Sequence, residues 1–222
     1  MAASSMSLRS LWLGSSLKQR NISLSPFAKT KRFHCKANVT QNPRVYAHHT
    51  FYKGKSAMAF GPGKPSYKST QDGGVYVEKE GSLFLEFVPS SGPRQYDWSR
   101  KQIMALSVVE VGSLVGYTMT EGIEFLHDPH LGTSEAGMVR KTLKIEPMPD
   151  KSGMFFTFEV VNKVEDLNMR LSVPITKGEF TVIRSSCNFI IPYLLGWHGF
   201  INPSAIQLAS SNHADAELEW SK

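Results

Sequence analysis

The residues best placed to do chemistry sit in Phe51-Tyr52-Lys53-Gly54-Lys55-Ser56-Ala57-Met58-Ala59-Phe60. Aromatics open and close the run and Gly61-Pro62-Gly63 ends it, so it reads as one β-strand. In an extended strand alternate side chains share a face, which puts Phe51, Lys53 and Lys55 together and Tyr52 on the opposite side. Two ammonium groups beside a ring suit a flexible polyanion that carries bases: lysines meet phosphates, and an aromatic stacks a base for roughly 1–3 kcal/mol. The same lysines would equally defend an edge strand from aggregation.

Further cation–aromatic mixtures occur downstream. Arg94-Gln-Tyr-Asp-Trp-Ser-Arg-Lys101 interleaves Tyr96 and Trp98 with Arg94, Arg100 and Lys101, although Trp98 could equally anchor the start of a helix. In Val139–Ile145, Arg140, Thr142 and Lys144 share one face while Lys141, Leu143 and Ile145 share the other, so Arg140 and Lys144 are expected to point outward. Phe155, Phe156, Asn162 and Lys163 complete the set, with Phe156, Asn162 and Lys163 as its candidate nucleic-acid contacts. No catalytic constellation accompanies them. Gly61-Pro-Gly-Lys-Pro-Ser66 lacks the first glycine of a phosphate loop, and there is no nucleophile elbow. His127, Asp128 and His130 have metal-ligand chemistry, but Asp-Pro-His reads first as a turn; no metal and no cofactor are expected. Cys35 and Cys187 are too few and too distant for a disulfide framework, and Cys187 reads as a buried small residue.

The charge is unevenly distributed. The 222 residues carry a formal +6, yet no Asp or Glu precedes Asp72 and residues 1–47 hold eight of the 25 Lys and Arg. The remaining 17 basic residues face 19 acidic ones, so nucleic-acid affinity must come from a local patch. A Ser-rich, basic, acid-free opening is the composition of an organelle transit peptide, leaning to plastid with mitochondrion as the alternative and removal near Phe33–Lys36. No apolar run reaches the length of a membrane span.

These side chains need elements to position them. Tyr67–Thr70 and Val75–Lys79 flank Asp72-Gly73-Gly74, a hairpin signal, and Ser82–Val88 is a stronger strand. Ser99 and Gln102 fit a capping box opening a helix through Met104, Val108, Val111 and Val115, with a strand through Ser107–Val111 as the rival. Strands then follow at Gly122–Leu126, Val139–Ile145, Met154–Val161 and Met169–Ile175. Thr176 and Glu179 cap a second helix whose apolar stripe is Phe180, Ile183, Cys187, Ile190, Ile191 and Leu194, with Pro192 near its end. The order is four strands, helix, four strands, helix: an α+β, duplicated ββββα chain of antiparallel sheets. The expected division is 1–47 leader, 48–202 folded domain, and 203–222 a polar tail, acidic at Asp215, Glu217 and Glu219, without fixed structure.

Lys53-Gly-Lys-Ser-Ala-Met58 is similar to the Lys-Gly-Lys-Ala-Ala-Leu signature of the plant Whirly proteins. The likeness runs in order through Gln95–Gln102, Glu124–Pro129, Val139–Pro147, Pro174–Phe180 and Pro192–Trp197, about residues 46–202. Glu217-Leu-Glu-Trp220 resembles the plastid branch. The resemblance implies a whirligig homotetramer of two four-stranded sheets packed crosswise, with helices meeting at its centre and single-stranded DNA running along the sheets. It also implies protection of organelle genomes through repair and suppression of illegitimate recombination. Nuclear roles in transcription, telomeres or defence are found in some members, and RNA binding in others. Lys53 and Lys55 carry over both to DNA contact and to assembly of larger particles, and Lys55 is grouped with the stripe of the second helix in assembly. Ser56, Met58, Gly61-Pro-Gly-Lys64 and Gly178 depart from the family pattern; the Gly-Pro-Gly change bears most on assembly beyond the tetramer. An RNA-processing factor and a structural scaffold are the alternative readings.

Overall fold

The computed structural model describes residues 47–206 together with 219–220. The expected leader, apart from residue 47, and most of the expected tail lie outside the described residues. The first two strands are β1 (His49–Tyr52) and β2 (Ser56–Pro62). They form an antiparallel hairpin, not the single strand expected over 51–60, and Lys53-Gly54-Lys55 makes its turn. Burial explains the difference. Phe51 and Met58 are seven residues apart, so one continuous strand would aim them at opposite faces; the turn pairs them in register and both enter the core.

β3 (Ser66–Ser69) and β4 (Val75–Lys79) form the expected hairpin around Gly73, whose φ of 84° needs a residue without a Cβ. This hairpin stands apart as a two-stranded sheet. β5 (Leu83–Gly92) pairs with β2, and a tight turn leads to the short β6 (Gln95–Tyr96). A 3-10 turn at Trp98–Arg100, capped by Asp97, then enters β7 (Gln102–Leu106), which pairs with β5. The first sheet therefore has five strands: β1-β2-β5 in order, with β5 paired on to both β6 and β7, and β7 comes from residues expected to be helical. A spacing of four satisfies both a helical and an alternating pattern, so Met104 to Val108 did not discriminate. The helix, α1 (Val108–Gly116), starts at a complete capping box of Ser107 and Glu110, not at Ser99 and Gln102.

The second half follows expectation closely. β8 (Ile123–His127), β9 (Val139–Pro147), β10 (Gly153–Asn162) and β11 (Leu167–Thr176) make an antiparallel meander. α2 (Lys177–Leu194) starts at the Thr176–Glu179 capping box, and Pro192 lies in its last turn. Gly196, at φ 79°, then turns the chain into α3 (Trp197–Ile201). The sheets meet through one apolar core, where the rings of Phe87 and Phe158 stack 4.6 Å apart and 4° from parallel. Phe180, Ile183, Cys187 and Leu194 seat α2 on that core. Burial raises the Cys187 thiol to about 12, so it behaves as a small apolar group.

Two parts of the expected unstructured tail are placed. Pro203–Ala205 forms a 3-10 turn, and Glu219–Trp220 docks on the body. The Glu219 carboxylate accepts from Ala105 N at 3.0 Å and meets His127 Nδ1 at 3.0 Å. Lys141 Nζ donates to Ile103 O at 3.0 Å and to Glu219 O, and it lies 4.5 Å from the Trp220 ring centroid. A buried cation on the core side of β9 is thereby supplied with acceptors and a π face.

Candidate nucleic-acid interface

One group of candidate residues gathers where the β1–β2 turn meets β6 and the 3-10 turn. Tyr52 is 60% exposed because its neighbour in the strand, Phe51, takes the core side. Its ring lies 5.2 Å from that of Tyr96, whose hydroxyl donates to Lys53 O at 2.7 Å and fixes the turn. Trp98 is 40% exposed, so it offers a ring face to solvent and is not a buried anchor. Lys55 and Arg100 are exposed on the same elements.

The two other lysines of this group are already engaged. Lys53 Nζ donates to both oxygens of Glu179, at 2.7 and 2.8 Å, and so ties the β1–β2 turn to the first turn of α2. Burial works against the Glu179 charge, but hydrogen bonds from Lys53 and Thr176 outweigh it and hold the carboxyl below its usual value. Lys101 pairs with Glu86 at 2.8 Å.

A second group lies on the outer face of the β8–β11 sheet. Arg140 and Lys144 point outward from β9 as expected, with Glu124 3.4 Å from Lys144. The aromatic of this face is Phe155, 37% exposed; Phe156 is fully buried in the core. The expected nucleic-acid contact by Phe156 is therefore corrected by strand parity, since Phe156 lines up with core residues Phe158 and Val160. Asn162 is also redirected: its side-chain oxygen accepts from Val164 N and Glu165 N, so it builds the β10–β11 turn. Lys163, next along, is exposed. Gly137, Arg140, Thr142, Glu159, Val161 and Lys163 line an open depression of about 370 Å³ on this face. Glu159 and Arg170 belong to this face as well; neither stood out in the sequence, because a charge in a strand carries no sign of what it faces.

Phe51 needs the same correction as Phe156. It is buried against Met58 and Phe60 and offers no stacking surface. The expected assembly stripe of α2 is likewise mostly internal: Phe180, Ile183, Cys187 and Leu194 are core, and Ile190 and Ile191 pack against it. An amphipathic stripe marks the buried face of a helix without saying which chain buries it. The apolar face left outward carries Val182, Phe189 and Tyr193, continued by Trp197, Phe200 and Ile201 of the α3 segment. His127 is not arranged for a metal. Its Nε2 meets Glu110 at 3.0 Å and its Nδ1 meets Glu219, while Asp128 accepts from His130 N and Gly137 N in a turn. Burial pulls the His127 pKa down, but the two carboxylates together outweigh it and lift it to about 9.

This architecture has close counterparts among known proteins. The Whirly transcription factor family matches residues 51–186. The chloroplastic single-stranded DNA-binding protein WHY1 of Solanum tuberosum is 45% identical over 185 residues, covering 81% of this chain and 68% of that protein. The chloroplastic WHY3 of Arabidopsis thaliana is 44% identical, covering 82% and 70%. The mitochondrial WHY2 of Arabidopsis thaliana is 38% identical, covering 81% and 78%. The crystal structure of Arabidopsis thaliana WHY3 superposes with a TM-score of 0.67 at 48% identity, over 72% of this chain and 95% of that one. The structure of the plant transcriptional regulator PBF-2 gives 0.69 at 44%, over 81% and 95%. With its sheets, capping boxes and exposed aromatic–cation groups in place, the chain is a member of the Whirly family.

Proposed function

We propose that this protein is a non-catalytic, plastid-imported binder of single-stranded DNA that works as a homotetramer in the organelle nucleoid, where it guards genome stability. The observation that carries this reading is the cluster of exposed Tyr52 and Trp98 with Lys55 and Arg100, set on a fold whose relatives are named single-stranded DNA-binding proteins. Rings stack bases of any sequence while cations track the phosphates, and a duplex, with its bases already stacked, leaves the rings nothing to hold. Arg140, Lys144, Lys163 and Phe155 would extend the track over the second sheet. Assembly is supported by the outward apolar face of α2 and α3, since contiguous exposed patches of this kind mark interaction surfaces. Plastid import is supported by the acid-free basic leader and by the chloroplastic relatives.

The test is titration of the full chain against a labelled DNA single strand, its duplex and the matching RNA at two salt concentrations. Binding to the DNA single strand should fall by roughly 0.7 log unit per log unit of salt for each phosphate neutralised. The duplex should bind roughly tenfold more weakly or worse. Equal affinity for duplex and single strand would end this reading, and tighter binding to RNA would move it to an RNA factor.

A further inference from the structure

The outer face of the β8–β11 sheet contains a residue that a simple phosphate track does not explain. Its cations are Arg140 and Lys144 on β9, Lys163 in the β10–β11 turn, and Arg170 on β11. In their midst stands Glu159, half-buried on β10 and in register with Thr142 on one side and Arg170 on the other. The Glu159 carboxylate makes no hydrogen bond or ion pair among the described residues, Arg170 included. It lines the depression of about 370 Å³ together with Arg140, Thr142 and Lys163. That volume lies within the range of small-molecule sites, about 300–1,000 Å³.

A carboxylate only accepts hydrogen bonds, and phosphates offer it no donor and repel it. Within a DNA strand, whose sugars carry no 2′-hydroxyl, the groups that can donate to it are on the base edges. Thymine presents one N–H, and adenine or cytosine one amino group. Guanine presents N1–H and N2–H side by side, a fork that matches the two oxygens of a carboxylate. It also carries O6 and N7, the acceptors that arginine recognises, and Arg140 lines the same depression. Resting on the single-strand-binding reading above, we propose that this depression is a guanine-selective subsite, in which Glu159 takes the N1 and N2 hydrogens and Arg140 donates to O6 or N7. The protein would then hold most of a strand without regard to sequence and register on isolated guanines.

The experiment compares the full-length protein's affinity for an all-thymine DNA strand with three strands of equal length. These carry isolated guanine, hypoxanthine or adenine at the same positions. Guanine should bind roughly tenfold tighter than thymine, the scale of one good bidentate base contact. Hypoxanthine, which lacks only the N2 amino group, should lose most of that advantage, a comparison that requires no variant. Glu159→Gln should bring the guanine and thymine strands to the same affinity. Thymine binding without a guanine advantage overturns the subsite and leaves the general reading standing. A preference that survives Glu159→Gln also overturns it. Failure to bind any of the strands overturns both.

Discussion

With Glu179 held 2.7 Å from its ammonium, Lys53 has its charge committed inside the protomer, whereas Lys55, beyond Gly54, projects from the same turn with no ion pair among the described residues. The two lysines should separate in a paired experiment. Lys53→Ala should lower the urea midpoint by an amount equivalent to about 1 kcal/mol while changing strand affinity little, because the lost pair is half-buried and supports the start of α2. Lys55→Ala should leave the midpoint alone and flatten the salt dependence of binding by roughly 0.7, the share of one phosphate. The aromatics divide in the same way. Trp98→Ala should weaken single-strand binding by about 1–3 kcal/mol in a titration, with stability nearly unchanged. Phe156→Ala should cost about 3–5 kcal/mol of stability in chemical denaturation and act on binding only through unfolding.

Elements show where the sequence was readable. The β8–β11 meander and α2 were legible because strand parity, turn residues and the Thr176–Glu179 box all agreed. The first half was not, because its decisive facts are tertiary. Phe51 and Met58 require a turn at Lys53–Lys55 only once it is known that one core buries both. The strand Gln102–Leu106 and the helix after it share a spacing of four, and the cap is Ser107–Glu110, not Ser99–Gln102. At the site, Arg140 and Lys144 followed from alternation, whereas Phe155 against Phe156 turned on one residue of register. The first turn of α2 yields its own prediction. Gly178 is exposed, and a Cβ there meets nothing within 4 Å. Gly178→Ala should therefore stabilise the protein by about 0.5 kcal/mol, below the mid-helix difference of about 1 kcal/mol, read as a higher denaturation midpoint.

For the whole molecule, His127 joins three distant parts: the cap of α1 through Glu110, the end of β8, and the anchored Glu219. A folded pKa of about 9 against an unfolded value of about 6.5 means that protonated His127 stabilises fully below pH 6.5. That contribution fades as pH rises through 9. Lys141, lowered to about 8 chiefly by burial, works the other way, adding stability as pH climbs from 8 toward its ordinary value. The deficit of His127→Gln relative to the parent should therefore be about 2 kcal/mol at pH 6, after allowance for solvent screening, and shrink above pH 9. Denaturant curves at the two pH values measure it.

The apolar face of Phe189, Tyr193, Trp197, Phe200 and Ile201 has a consequence for how durable the protein is. If like subunits cover that face, as proposed, dilution competes with folding, and the melting temperature becomes a property of the sample's concentration as much as of its sequence. A dilution series followed by calorimetry should show the transition moving to lower temperature at each step. Dose, in the cell as in the test tube, would then act as a stabiliser: a scarce protein would be a fragile one, and a destabilising variant would be rescued simply by making more of it.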